Sequence, residues 1–452
     1  MADPGGGPTT PSTTLTHAQQ DVHGPDRGGA PRRRGRRKTY RLIGFTLALL
    51  LVFATAVACE EFGPQGGWSA PVADGDYLYV GNTEGRIVRI NANAGVMDAG
   101  WQYPGQGADG LGAIYGSPVV DGNVVYASGY TCRGNVCDGE VFAVDVNSGQ
   151  PVWGEGGFQI DTKLVGSVGV GQSTVVFGTS AVNREDEPPG YLYALNPEAD
   201  AGLPIEERVG ARLKWRLPVD GAIWSTPAVV DDIAYFGTMG GTFYAVDLRD
   251  DPAYEADVTE RVLWQFEADG AITASPLAAN GKIYFGDFQN MFYALDPDAR
   301  IADATGSTLN PASEWSFESR AWFWAQPLLD NGVIYASTLH GRVYALNADT
   351  GAEVWAEPAS IGHQIVAPPA IIESRRGQAL AVPSGDQDVF VVGTASGQDF
   401  GRFVTGQSVK SSPTVVGSFL YVSAVNGDLM WFATDDLTRR GCIETRGGNR
   451  CG

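Results

Sequence analysis

The chain has 452 residues and a formal net charge of −21, with 60 Gly, 26 Pro, 19 Phe, 17 Tyr and 11 Trp. Charged residues make up only 18%, and this glycine, proline and aromatic content suits many tight turns joining packed strands rather than a helical protein. The first 58 residues carry eight Lys and Arg against three Asp and Glu, the remainder 23 against 49; an acidic body repels phosphate backbones, which argues against nucleic acid as a partner.

Residues 1–31 are rich in Gly, Pro, Ser and Thr and lack apolar periodicity, the composition of a disordered segment. A basic stretch, 32–41, and an apolar run, 42–58, follow. That order is the n-region and h-region of a targeting segment. The run has about 17 apolar or small residues, short for a span but within its lower range. It ends Ala56-Val57-Ala58-Cys59, which resembles a bacterial lipobox, although Ala56 stands where Leu is commonest. That resemblance implies lipidation of Cys59 and cleavage before it; an uncleaved anchor is the alternative. Either puts residues 1–41 in the cytoplasm and the body outside, in the periplasm or at the cell surface.

The other cysteines suit that compartment. Cys132 and Cys137 are close enough to staple a hairpin tip, and Cys442 and Cys451 close a C-terminal loop. No Cys-x-x-Cys occurs and only His340 and His363 lie in the body, so no zinc site is expected.

From residue 67 to 445 the chain repeats one unit eight times, after a linker at 59–66 and before a tail at 446–452. Small residues followed by proline mark the copies at Pro71, Pro118, Pro227, Pro276, Pro327, Pro369 and Pro413, with Val168 in the third, at gaps of 42 to 59 residues. Each anchor introduces a short strand. A second strand rich in β-branched and aromatic residues follows, then a third such as Tyr344-Ala345-Leu346-Asn347, then a fourth ending in Trp at 101, 153, 215, 264, 315 and 355. In the seventh copy Phe403 is taken for that Trp, and the eighth closes without one. Four short strands per unit predict an all-β, eight-bladed β-propeller of four-stranded antiparallel blades.

The repeat resembles the pyrroloquinoline-quinone (PQQ)-type propeller motif Ala-x-Asp-x-x-Thr-Gly-x-x-x-Trp. Residues 345–355 match it with Asn347 for Asp, and 143–153 match with Ser148 for Thr. In this motif Asp or Asn bonds the backbone ahead of it, the glycine takes positive φ, and the Trp docks between blades. Those residues make blades, not chemistry.

Antiparallel strands A to D assign the loops to faces. The B–C and D-to-next-A loops share one face, the A–B and C–D loops the other. On the first face, the residue three before each anchor recurs around the axis: Trp68, Tyr115, Val165, Trp224, Thr273, Trp324, Val366 and Lys410. With His340, the hairpin at 132–137 and an insertion at 179–190, Trp68, Tyr115, Trp224, Trp324 and Lys410 form a candidate ligand or partner surface; inter-blade packing is the plainer reading of its aromatic residues. On the second face, the distance from the third-strand Asp or Asn to the Trp is 8 residues in copies 2 and 6 but 19, 17 and 19 in copies 3, 4 and 5. These extensions carry Glu206, Glu207, Asp250, Asp251, Glu255 and Asp257, and a solvated acidic face explains them without Ca²⁺, since no Asp-x-Asp-x-Asp-Gly loop is present.

Anchor, repeat type and blade count together resemble the BamB-like lipoprotein family, which implies a non-catalytic scaffold for an extracytoplasmic or membrane protein partner, with a monomeric body and no cofactor. The alternatives are a PQQ-dependent quinoprotein dehydrogenase, which would use Ca²⁺ and, in many members, a Cys-Cys pair absent here, and a carbohydrate or cell-wall binder stacking on Trp68, Trp224 and Trp324. No catalytic set of Ser, His and Asp or of Cys and His is apparent.

Overall fold

The computed structural model describes residues 69–105, 109–112, 114–133, 136–153, 157–180, 188–198, 207, 211–302 and 309–451. The chain divides into two units, Met1–Glu61 and Phe62–Gly452. The expectations for the tail, the apolar run, Cys59 and Trp68 lie outside the described residues.

Eight four-stranded antiparallel sheets follow one another, each built from four consecutive strands. This is the expected eight-bladed propeller. The A strands begin at Val72, Val119, Gly169, Ala228, Leu277, Leu328, Ala370 and Thr414, each one residue after its anchor. Proline suits that place because it has no N–H to leave unpaired at the mouth of a strand. Strands B and C sit between neighbouring blades and are buried on both faces, which is why they read as continuous apolar runs; every residue of Thr242–Asp247 is buried.

The core is divided into eight clusters, one at each blade interface. Phe243, Trp264 and Ile272 of blade 4 pack with Phe285 and Tyr293 of blade 5, and Leu78, Val88 and Ile90 of blade 1 pack with Tyr421, Leu429 and Ile443 of blade 8. Among the described residues no strand is exchanged at this last junction. The ring closes there by packing and by bonds from Tyr421 Oη to the Ala92 carbonyl at 2.8 Å, Asn82 Nδ2 to Thr445 O at 3.1 Å and Thr414 Oγ1 to Pro71 O.

The residue before each anchor has its own role. Ser167 Oγ donates to Ser117 O, Ser167 N to Thr226 Oγ1 at 3.0 Å, Thr226 N to Ser275 Oγ at 2.9 Å, and Gln326 Nε2 to Pro276 O at 2.9 Å. A belt of side-chain bonds thus ties the A strands of blades 2 to 6. Small hydroxylated residues fit because adjacent backbones approach closely there.

The motif residues do what their chemistry requires. Asn347 Oδ1 accepts from Asp349 N, Thr350 N and Thr350 Oγ1, each at 3.0 Å. Asp145 accepts the equivalent set from Asn147 and Ser148, and those bonds, from Ser148 first, hold its carboxyl below the usual range. Four of the six indoles bond into the next blade: Trp101 Nε1 donates to Asp145 O at 3.2 Å, Trp153 Nε1 to Pro197 O at 3.1 Å, Trp315 Nε1 to Ala348 O at 3.1 Å and Trp355 Nε1 to Thr394 O at 2.8 Å.

Blade 7 requires one correction. Ala194, Ala245 and Ala294 face Trp215, Trp264 and Trp315 across strands C and D, and in the same register Val391 faces Gly401. Phe403 pairs with Val389, two residues farther along, and fills the blade 7–8 core against Phe432 at 5.3 Å. An aromatic close to the expected spacing took the eye from a register set by the backbone.

Candidate functional site

Blades 4 to 6 bring a run of aromatic side chains together on the face of the B–C and D–A loops. Trp224, leading into blade 4, and Trp324, leading into blade 6, meet with ring centroids 6.2 Å apart at 58°. Between them in the ring lies Thr273, the small member of the set, which leaves room for the two indoles to touch. Phe288, from the B–C turn of blade 5, stacks on Trp324 at 5.5 Å and on Trp322 at 5.2 Å. Trp322 meets His340 edge-on at 6.4 Å. Trp224, Trp322 and Trp324 are partly exposed and His340 is exposed, while Phe288 is buried beneath the indoles.

The local sequence explains the ridge. In Ala321-Trp322-Phe323-Trp324-Ala325 the residues alternate: Trp322 and Trp324 share the surface, and Phe323 turns inward to the core between blades 5 and 6. The turn that holds Phe288 is fixed by Asp287, which accepts from Gln289 N and Met291 N at 2.8 Å and from Tyr293 Oη at 3.2 Å. Burial raises the Asp287 carboxyl above its ordinary range despite these donors, and burial also raises the Tyr293 hydroxyl. Asn82 plays the same part in blade 1, accepting from Glu84 N at 3.0 Å and Arg86 N at 2.9 Å.

Of the expected surface residues, Trp224, Trp324 and His340 belong to this ridge. Tyr115 stacks instead on Tyr130 of the blade 2 hairpin, at 5.6 Å and 18°. Lys410 is partly buried in the loop before blade 8. Phe288 and Trp322 were not anticipated. The pair Trp322 and Trp324, two apart before a strand, was the signal for one; Phe288 holds the B–C turn position that Met239 and Leu339 hold in blades 4 and 6, its N–H donating to Ala271 O as theirs do to Ala222 O and Trp322 O, and comparing that turn position across the copies would have found it.

Both body disulfides are present, Cys132–Cys137 at the tip of the lengthened hairpin Val124–Arg133 and Val136–Asp145, and Cys442–Cys451. The second ties the last residues back to the outer strand of blade 8, where Ile443 also bridges to Arg450.

On the opposite face, the blade 4 extension forms two short 3₁₀ turns, Pro252–Glu255 and Val258–Arg261. Arg261 is buried between Trp215 and Tyr254, 4.6 Å from each ring centroid, and donates to Asp247 O at 3.1 Å and Arg249 O at 3.0 Å. Two of the acidic residues have structural partners: Asp250 pairs with Lys214 at 2.7 Å, and Asp257 caps the second turn through Thr259 N at 2.9 Å. Glu206 lies outside the described residues. Among those described, ligand atoms of three His, Cys, Asp or Glu residues come together at Asp428, Cys442 and Cys451, but the two sulfurs are bonded to each other. No helix among the described residues is long and apolar enough to cross a membrane.

No curated protein matches the chain. Among solved structures, the computationally designed Ika8 protein superposes with a TM-score of 0.58 at 13% identity, covering 82% of this chain and 98% of that one; it shares the fold. BamB from Moraxella catarrhalis is similar at a TM-score of 0.41 and 17% identity, over 70% of this chain and 92% of that one. The profile of the family described as outer membrane protein assembly factor BamB matches residues 63–159 and 311–450, just over half of the sequence, and the chain belongs to that family of PQQ-type propellers.

Proposed function

We propose that this protein is a non-catalytic scaffold tethered to the extracytoplasmic face of a membrane, through Cys59 or an uncleaved segment at 42–58, and that it holds a protein partner against one face of a monomeric propeller. The observation that carries this reading is the ridge Trp224–Trp324–Phe288–Trp322–His340, partly exposed on a rigid face in a member of the BamB family. Exposed aromatic groups anchored on rigid elements are the usual centres of binding energy at interfaces. Tyr115 and Lys410 belong to the same loop set and extend the contact around the ring.

We assign the protein no redox step. Crosslinking in intact membranes followed by recovery of the tagged chain tests the scaffold. A component of the β-barrel assembly machinery is the expected partner, whereas an electron-transfer protein, or dye-linked oxidation of alcohols or sugars after addition of PQQ and Ca²⁺, overturns it. Mass spectrometry of the membrane form tests the anchor; an intact segment 1–58 removes the lipoprotein reading.

A further inference from the structure

We infer that the ridge takes a cationic segment of its partner, an extended stretch whose Lys or Arg side chains lie on the indole faces of Trp322 and Trp324 and pair with the carboxylates beside them. This rests on the scaffold reading and adds the chemistry of the partner. The fourth strands of blades 3, 4 and 5 end at this face, and their last residues with the loops that follow carry exposed Asp220, Glu267, Asp269 and Glu318 against two exposed bases, Arg216 and Arg320, among the described residues.

Two of these acids share a single donor. Thr242 Oγ1 lies 2.8 Å from Asp220 Oδ2 and 3.3 Å from Glu267 Oε1, and one hydroxyl proton serves one carboxylate. Thr238 Oγ1 and Tyr244 Oη also lie within reach of Asp220, at 2.7 and 3.2 Å, so Asp220 is the better supplied by the protein and the exposed Glu267 is the one that faces solvent. An arriving ammonium or guanidinium pairs with Glu267 as a charge-assisted bond. The indole faces favour the same ligand, because a cation over an aromatic ring is attracted by its quadrupole. An acidic partner would meet repulsion from the four carboxylates, and a neutral apolar one would leave them desolvated.

The test uses the full chain and a fluorescein-labelled ten-residue peptide of alternating Arg and Gly, read by anisotropy, with the matching Glu and Gly peptide as control. The Arg peptide is expected to bind and the Glu peptide not. Trp322→Leu with Trp324→Leu should weaken binding at least tenfold, while Trp→Phe at both positions retains most of it. Glu267→Gln with Asp269→Asn should weaken it about fivefold and flatten its salt dependence. Asp251→Asn with Glu255→Gln, on the other face, should change nothing, and thermal melts verify that each variant folds. Equal losses from both acidic pairs reduce the effect to general charge attraction and overturn the proposal. So does binding of a chitin hexasaccharide that is lost in the Trp→Leu variant while peptide binding is not. A photo-crosslinker at position 322 separates the two readings. A barrel-assembly protein captured there through an acidic or apolar segment leaves the scaffold standing and removes the cationic partner; capture of no protein removes both.

Discussion

Trp431 faces Gly441 across the last two strands of blade 8, in the register where Ala245 faces Trp264 and Ala294 faces Trp315. The small residue and the indole have changed strands. The ring still reaches its neighbour, for a Cβ on Gly95 of blade 1 would come within 2.7 Å of Trp431, as one on Gly351 would come within 2.6 Å of Trp315. Blade 8 thus keeps the indole-on-turn contact of the other blades but takes the indole from its third strand. Gly441→Ala drives a methyl into the ring and is expected to destabilise by about 1–3 kcal/mol, as overpacking does. Trp431→Ala should lose about 3 kcal/mol. The exchange Trp431→Ala with Gly441→Trp, which restores the arrangement of blades 4 and 5, should recover most of the Trp431→Ala loss in urea unfolding; a double variant no more stable than Trp431→Ala alone would show that the strands are not interchangeable.

The turn glycines separate strain from crowding. Gly351 and Gly122 both have positive φ, +70° and +54°, but only Gly351 has a neighbour within 4 Å of where a Cβ would be, the Trp315 ring. Gly122→Ala should therefore cost about 1 kcal/mol, the left-handed backbone alone. Gly351→Ala adds a clash and should cost about 2–4 kcal/mol. Equal midpoints for the two variants in denaturant titration would contradict the docking of the Trp315 ring on that turn.

Closure without strand exchange makes the junction of blades 1 and 8 the natural place for the ring to open. The Cys442–Cys451 bond, spanning nine residues, constrains the unfolded chain by about 2–3 kcal/mol in the loop-entropy treatment. Cys442→Ser with Cys451→Ser should lower global stability by that order and raise amide exchange first in Arg439–Glu444 and Ile87–Asn91. Removing Cys132–Cys137, five apart at a hairpin tip, should affect the hairpin alone. Uniform exchange through all blades in the first variant would show that the junction is not the weak point.

The architecture was legible because each blade repeats one physical problem: a proline mouth, two strands buried on both faces, a turn that needs positive φ and an indole to fill the interface. Eight solutions to one problem leave a period, and the anchors fell one residue before every A strand. The last two blades were harder to read, since Gly401 and the Trp431–Gly441 exchange solve the interface with different residues. The ridge was only partly legible. Trp224 and Trp324 share a repeated position, but their contact spans two blades and depends on the small Thr273 between them, and Phe288 enters from a turn. Contacts across blades are set by the closure of the ring, which no local pattern encodes.

The blade 4 extension should respond to acid at two carboxyls, Asp247 and the Asp257 cap, the latter also held below the ordinary range by its bonds from Thr259. Asp247 is buried, which pushes its carboxyl up, but hydrogen bonds from Arg249 and from Tyr254 Oη at 3.0 Å outweigh burial and hold it below the ordinary carboxylate value. A folded value below the unfolded one means that the stabilisation is complete above the unfolded value near 3.9 and is lost as pH falls through the folded value. Between pH 8 and 5 the turns Pro252–Glu255 and Val258–Arg261 should show constant amide protection, with a decline below about pH 4. In Asp247→Asn the charge-assisted bonds are gone at every pH, so protection of Pro252–Glu255 should be lower by about 1–2 kcal/mol and flat across this acid range, while Val258–Arg261 keeps the response of its Asp257 cap. Arg261 loses none of its backbone acceptors in that variant and keeps its place between Trp215 and Tyr254. Loss of the extension should therefore be local, leaving the melting of the blades unchanged. A decline at Pro252–Glu255 in Asp247→Asn that parallels the parent would assign its acid response to another group.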